Sequence, residues 1–283
     1  MMASAPVLLK IGGELLEDPG QLGPLVACLR DAVRPGPLVI VHGGGREIDA
    51  ALKTAGIEKR QVDGLRITDE PTLRVVVSVL AGLVNTRLVA ALNTAGLSAV
   101  GLTGADGNCG LSDVAPPHRC VDGRVVDLGR VGLPSDRADV TILQTLTVRG
   151  FVPVVASIGI AADGNLLNVN ADSLAGHLAS KLSARRLIIA GGTAGVLDSS
   201  GATVPLLDSE GIRKLVADGT ATAGMVAKLG ACRQALESGV EDVLIVSGRD
   251  LASLAAAISG GVPRQATRLV GRMEATLGKG PWP

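Results

Sequence analysis

Short apolar runs alternate with amphipathic stretches along almost the whole chain. Val7–Ile11, Leu38–Val41, Ala99–Leu102, Val152–Val155, Leu187–Ala190 and Val243–Val246 read as strands buried on both faces. Between them, residues 21–33, 46–55, 70–94, 137–149, 171–183, 211–217 and 225–238 carry helical periodicity. Such β-α alternation predicts an α/β fold with a mainly parallel, doubly wound sheet and right-handed crossovers. Two zones break the rhythm. Residues 108–131 are rich in Gly, Asp and Pro, which suggests a β-hairpin excursion beside the ligand site. Residues 157–168 suggest a hairpin turning at Asp163-Gly164. A soft boundary near 160–167 divides an N-terminal half from a C-terminal half, and GKGPWP reads as a loose tail.

Composition narrows the picture. Hydrophobic residues make up 47% of the 283 and charged ones 19%, which excludes disorder and supports a sheet covered on both sides. Basic and acidic residues balance at 27 each, so nothing draws the chain to nucleic acid or an anionic membrane. Phe151 and Trp282 are the only aromatics among Phe, Tyr and Trp, which removes the stacking platforms of single-strand binders. Four scattered cysteines without a CxxC pair point to reduced thiols and a cytoplasmic location. No apolar run approaches the roughly 18 residues of a membrane span.

Neither GxxxxGK[ST] nor GxGxxG occurs. Instead a strand followed by glycines appears twice. Val7–Ile11 delivers Lys10 and then Gly12-Gly13; Leu38–Val41 delivers His42 and then Gly43-Gly44-Gly45, with a helix at once after it. Glycine lets backbone N–H groups approach a ligand, and a helix start adds its positive dipole end, which suits phosphate or carboxylate. Either loop alone is as well explained by a tight turn; together they would open at one sheet edge, where doubly wound folds bind ligands. GLRITD precedes the long helix, where Thr68 or Asp69 serves as N-cap and Arg66 is either a surface residue or a carboxylate clamp. Asn168-Val169-Asn170-Ala171-Asp172 enters another helix, with Asn170 as its cap or as a ligand donor. Gly224-Met225-Val226-Ala227-Lys228 opens a helix with a lysine in its first turn, unfavourable against the dipole and so suggestive of function.

Collinear from about Val7 to Leu269, LLKIGG, IVHGGG, GLRITD, GLTGADGN, PVVASIG, NVNAD and GMVAKL resemble the amino-acid kinase family. The resemblance implies a three-layer αβα sandwich around a mainly parallel central sheet. It implies a single domain over 1–283, with an N-terminal lobe (about 7–165) for the acyl acceptor and dimer contact, and a C-terminal lobe (about 166–272) for ATP. The branch it resembles phosphorylates the γ-carboxylate of N-acetyl-L-glutamate with ATP and Mg2+, in arginine biosynthesis. By motif, Lys10 and Lys228 hold the transferring phosphoryl group and Asp172 orients them. Gly12, Gly13, Gly44 and Gly45 are backbone donors, Gly44 and Gly45 also touching substrate. Arg66, Asn168 and Asn170 bind substrate, while Gly191, Gly192, Gly195, Val196, Leu197, Met225 and Lys228 bind nucleotide. No protein side chain is expected to hold a metal.

One departure stands out: where the family places a Thr/Ser-Asp pair at the nucleotide site, this chain has Gly191-Gly192-Thr193-Ala194-Gly195, without the acid. Only six residues precede the first predicted strand, so the resemblance implies a homodimer rather than the arginine-sensing hexamer, with Val75–Val84 as a candidate dimer surface. His42, His118, Cys109 and Cys120 do not make a standard zinc pattern. The rival readings are a kinase of carrier-protein-linked aminoadipate or glutamate, docking through Arg119, Arg124, Arg130 and Arg137, and a non-catalytic ligand-binding member of the fold.

Overall fold

The strands form where continuous apolar runs demand burial on both sides, except at Ala99–Thr103, an edge strand in which only Ala99 is buried, and most extend one residue beyond the run. The structure, a computed structural model, describes residues 4–33, 36–120, 122–217 and 223–271; the predicted tail GKGPWP lies outside them. In chain order the strands are β1 (Val7–Ile11), β2 (Leu38–His42), β3 (Gln61–Val62), β4 (Leu65–Arg66), β5 (Ala99–Thr103), β6 (Ser112–Val114), β7 (His118–Arg119) and β8 (Val125–Val126). They continue as β9 (Val131–Pro134), β10 (Val152–Ala156), β11 (Ile158–Ile160), β12 (Leu166–Val169), β13 (Arg186–Gly191), β14 (Leu206–Asp208), β15 (Val243–Ser247) and β16 (Ala266–Val270). The α-helices are α1 (Pro19–Ala32), α2 (Gly45–Thr54), α3 (Glu70–Val77), α4 (Asn85–Thr94), α5 (Thr141–Val148), α6 (Ala171–Lys181), α7 (Ser209–Ala217), α8 (Ala223–Glu237) and α9 (Leu251–Ile258).

Eight strands form one sheet in the order β14-β16-β15-β13-β1-β2-β10-β5. All neighbours are parallel except β15 and β16. The chain winds outward from β1 in both directions, so the carboxyl ends of β1, β2 and β13 meet at the topological switch, the expected ligand edge. Alternation along β1 divides the core. Leu9 and Ile11 join one buried cluster with α1, α4 and α9, while Leu8 joins the other with α5, α6 and α8. Lys10 shares the parity of Leu8, which sends it towards α6.

The predicted 70–94 helix is continuous, but its middle, Ser78–Val84, is π-helical between α3 and α4. By length and composition this 25-residue helix could cross a membrane, with a stretch of mean hydropathy 2.0, contrary to the expectation that no segment would. Here one face is core: Leu73, Val76, Val79, Leu80, Val84, Leu88 and Leu92 are buried, whereas Leu83 is 56% exposed. The helix predicted from 137 begins only at Thr141, after a turn whose Asp139 accepts from the Thr141 N–H. The 157–168 hairpin forms as β11 and β12, with Gly164 at positive φ. The 108–131 excursion becomes β6 to β9, and β6, β9, β11 and β12 build a second, four-stranded sheet over the ligand edge.

Candidate active site

Lys10 reaches α6 from β1 and places Nζ 2.9 Å from Asp172 Oδ1, with the two side chains 10% and 11% exposed. Asp172 stands in the first turn of α6, where the dipole favours an anion. Asn170 caps that helix, its side chain accepting from the Asp172 N–H (2.9 Å) and the Ser173 N–H (3.1 Å). The contact with Lys10 is an ion pair without hydrogen-bond alignment, so buried Asp172 Oδ1 lacks a hydrogen-bond donor. A carboxylate oxygen in that condition fits a second cation.

Lys228 approaches from α8 without closing an ion pair to Asp172. It is the sixth residue of α8, in the second turn and not the first, so the expected conflict with the helix dipole falls away. Gly176 of α6 lets α8 close in: a Cβ there would stand 2.9 Å from Ala231 O. Lys228 Nζ lies against Gly191, 3.1 Å from where a Cβ would be. One turn on, buried Cys232 has its thiol pushed up by burial and by Asp172, while Lys228 and Lys10 pull the other way. Lys10 and Asp172 are thus paired at the end of β1, while Lys228 lies against Gly191 at the end of β13, and all three act on the Cys232 thiol.

The two glycine loops touch there. A Cβ on Gly13 would overlap Gly44 Cα at 2.6 Å, so a side chain would force the loops apart. Gly44 caps α2 and Gly45 begins it. Gly12 departs from expectation: its N–H donates to Ala190 O (2.9 Å), a sheet contact that withdraws it from any ligand. A residue that motif reasoning missed, Glu14, occupies the lysine side of the same space. It lies in the short 3₁₀ turn Gly13–Leu15, and its Oε1 accepts from the Gly192 N–H (3.0 Å). Its signal in the sequence was an acid directly after Gly12-Gly13.

These groups border a cavity of about 290 Å3 lined by Lys10, Gly13, Glu14, Gly44, Gly45, Arg66, Asn168, Asn170 and Asp172, among others. Arg66 enters from β4 with only 9% of its side chain exposed. Its Nη2 pairs with Asp49 and reaches Gly45 O at 3.4 Å, while buried Nη1 has no partner. Asp49 also pairs with Lys59, and the two cations hold its carboxyl below the usual range against the opposing effect of partial burial. Asn168 donates to the Thr68 hydroxyl (3.0 Å), and Asp69, not Thr68, caps α3 by accepting from the Thr72 N–H.

The residues expected at the nucleotide lie in different surroundings. Gly191 and Gly192 adjoin Glu14 and Lys228, on the cavity's flank. Gly195 and Val196 are turned into the core instead: the Val196 N–H donates to Thr267 Oγ1 (2.8 Å), and Gly195 lies against the same threonine. Leu197 is 39% exposed and Met225 packs against the core around α8; neither lines this cavity.

His42 is structural. It is fully buried, and Asn85 Nδ2 donates to its Nε2 (3.0 Å) and to Val154 O (2.9 Å). With Nε2 accepting, Nδ1 carries the proton and faces Gly43 O at 3.1 Å. Burial lowers its pKa to about 4. The unfolded chain therefore binds a proton that the folded chain refuses between pH 6.5 and 4, and stability falls as pH drops through that window. The loss should approach about 3 kcal/mol near pH 4. Urea unfolding of wild type and His42→Gln from pH 7 to 4.5 checks this; equal slopes would remove His42 as the cause.

Three of the four arginines offered as a docking surface form exposed ion pairs: Arg124 with Asp122, Arg130 with Glu70 and Arg137 with Asp113.

The amino acid kinase family model matches residues 5–247. The acetylglutamate kinase of Acidiphilium cryptum is 40% identical over 255 residues, covering 87% of this chain and 84% of its own. That of Rhodopseudomonas palustris strain TIE-1 is 41% identical over 252 residues, covering 86% and 83%. Among solved structures, N-acetylglutamate synthase from Neisseria gonorrhoeae superposes with a TM-score of 0.79 at 24% identity, over 96% of this chain and 61% of that one, a likeness of fold.

Proposed function

Because the chain belongs to the amino acid kinase family, we propose that it transfers the γ-phosphoryl group of ATP to the γ-carboxylate of N-acetyl-L-glutamate. The product would be N-acetyl-L-glutamyl 5-phosphate, and the step one of arginine biosynthesis. The enzyme is a phosphotransferase. The observation that carries this reading is a single cavity lined both by the Lys10–Asp172 pair and by Arg66, whose buried Nη1 has no partner.

The acceptor carboxylate is ionised at neutral pH, so no general base is required. What the site must do is align two anions and offset charge on the phosphoryl group in flight. Arg66 would hold the α-carboxylate, with Asn168 and Asn170 reading the remaining polar groups. Gly44 and Gly45, at the start of α2, aim the positive end of that helix into the cavity. Lys10 and Lys228 would flank the phosphoryl oxygens, and Asp172, paired with Lys10, would help to place both ammonium groups. Gly191 and Gly192 leave room for the nucleotide phosphates, and Glu14 bounds that space. Mg2+, bound to those phosphates, would add charge neutralisation.

The carrier-protein reading is not favoured, because the relatives of about 40% identity are acetylglutamate kinases. We further propose a cytoplasmic homodimer with no nucleic-acid or membrane partner. Its four free thiols suit a reducing compartment, and exposed Leu83 on the long helix is the apolar point from which a second copy would be met.

Hydroxylamine trapping of acyl phosphate with Mg-ATP tests the proposal. Signal with N-acetyl-L-glutamate, and none with free glutamate or aspartate, is expected. Signal with a carrier-linked substrate alone would transfer the assignment to that kinase, and silence with all of them would leave a ligand-binding member of the fold.

A further inference from the structure

Two small hairpins beside the cavity meet at three side chains. Asp63 and Gly64 form the two-residue turn between β3 and β4, both at positive φ (46° and 79°), the mirror-image turn that Asp-Gly favours. His118 opens β7, which pairs with β8, and Cys120 follows directly, its N–H held by Arg124 O (2.8 Å). His118 Nε2 lies 2.9 Å from Asp63 Oδ2. One donor atom from each of Asp63, His118 and Cys120 lies within 4.8 Å of the other two. Cys120 is 4% exposed with a free thiol, and its two partners are half-buried.

We propose that Asp63, His118 and Cys120 bind one divalent transition cation of borderline softness, Zn2+ foremost, with water in a fourth position. Carboxylate oxygen, imidazole nitrogen and thiolate are together the donor set of such ions, whereas Ca2+ and Mg2+ require oxygen alone. Metal–ligand bonds of about 2.0–2.3 Å put tetrahedral neighbours roughly 3.3–3.8 Å apart. The observed separations, from 2.9 Å to no more than 4.8 Å, bracket that range. Binding would part the Asp63–His118 hydrogen bond and draw in the thiol. On binding, Cys120 releases its proton to solvent, and thiolate and carboxylate together balance the two positive charges.

Hydrogen bonding between a turn aspartate and a histidine would by itself explain that pair. It does not explain a third, soft donor brought in from a strand end and kept from solvent. The consequence is mechanical. The three residues tie the β3–β4 hairpin to the β7–β8 hairpin, and Arg66 lies three residues after Asp63 on the first of them. The proposal is independent of the phosphoryl-transfer assignment.

The test titrates Co2+ into reduced, metal-stripped wild-type protein. Saturation at one equivalent per chain is expected, with a near-ultraviolet thiolate-to-cobalt band that Zn2+ abolishes. Cys120→Ser should lose the band, and His118→Gln should weaken binding at least tenfold, with circular dichroism reporting that each variant is folded. Absence of the band in wild type, or its persistence in Cys120→Ser, overturns the site. If a variant fails to fold, alkylation of wild type decides, mapped to Cys120 by mass. At least tenfold slowing by Zn2+ supports the site, and no slowing overturns it.

Discussion

Lys10→Met should lower kcat about 10²–10³-fold while leaving the apparent affinity for N-acetyl-L-glutamate within a few-fold of wild type. Removing one preorganised donor from a transition-state charge typically costs that much. The substitution preserves the length and apolar stem of the side chain, so the sheet around β1 keeps its packing. It also leaves Asp172 with no ion-pair partner from β1. Breaking a buried pair on one side costs about 3–5 kcal/mol, because the remaining charge is stranded. The single variant should accordingly melt well below wild type. Lys10→Met/Asp172→Asn separates the two effects: neutralising the stranded acid should recover much of the stability and none of the turnover. Steady-state acyl-phosphate kinetics and thermal melts of both variants provide the readout. Wild-type turnover in Lys10→Met would remove the lysine from the chemistry, and lost turnover that returned with stability in the double variant would make it a structural residue.

The fold was largely legible in the sequence, because strands buried on both faces must be apolar throughout. All six strand runs lie on the central sheet, and Lys10 was visible as the one charge inside such a run. Elements set by tertiary pairing were not legible. β3 and β4 are two residues each and exist only as a pair, and β16 carries adjacent polar Thr267 and Arg268 in its middle, next to the sheet's edge strand. The π-helical segment could not be read, since apolar residues fill every face of Ser78–Val84. It brings Leu80 against Gly44, where a Cβ would stand 2.8 Å from Leu80 Cδ2. At the candidate site, motif spacing picked out the residues that border the cavity but not how each is engaged. That the Gly12 N–H is held by β13, and that Gly195 and Val196 face Thr267, depends on contacts between distant segments. Glu14 and Asp49 were passed over for the same reason: their importance comes from Gly192 and Arg66, which only the folded chain brings near.

Arg66→Lys should have the complementary signature, raising KM for N-acetyl-L-glutamate about 30- to 100-fold with kcat little changed. In the fold Arg66 gives one nitrogen, Nη2, to Asp49 and keeps Nη1 buried without a partner. Such a donor is costly in the free protein and would be satisfied by an incoming carboxylate. Hydrogen bonds to charged groups contribute about 1.5–3 kcal/mol, and loss of about 2–3 kcal/mol corresponds to that rise in KM. Lysine keeps the charge but has a single nitrogen and no planar fork. Held by Asp49, its ammonium cannot also present a second, fixed donor to the substrate. Because the α-carboxylate is remote from the transferring phosphoryl group, its clamp acts alike on ground and transition states, which is why KM and not kcat should move. Asp49→Asn offers the contrast. It frees the guanidinium to wander and should raise KM by a smaller factor, since both nitrogens remain able to bind. If Arg66→Lys lowered kcat with KM unchanged, Arg66 would belong with the lysines at the phosphoryl end, and the orientation of substrate in the cavity would have to be reversed.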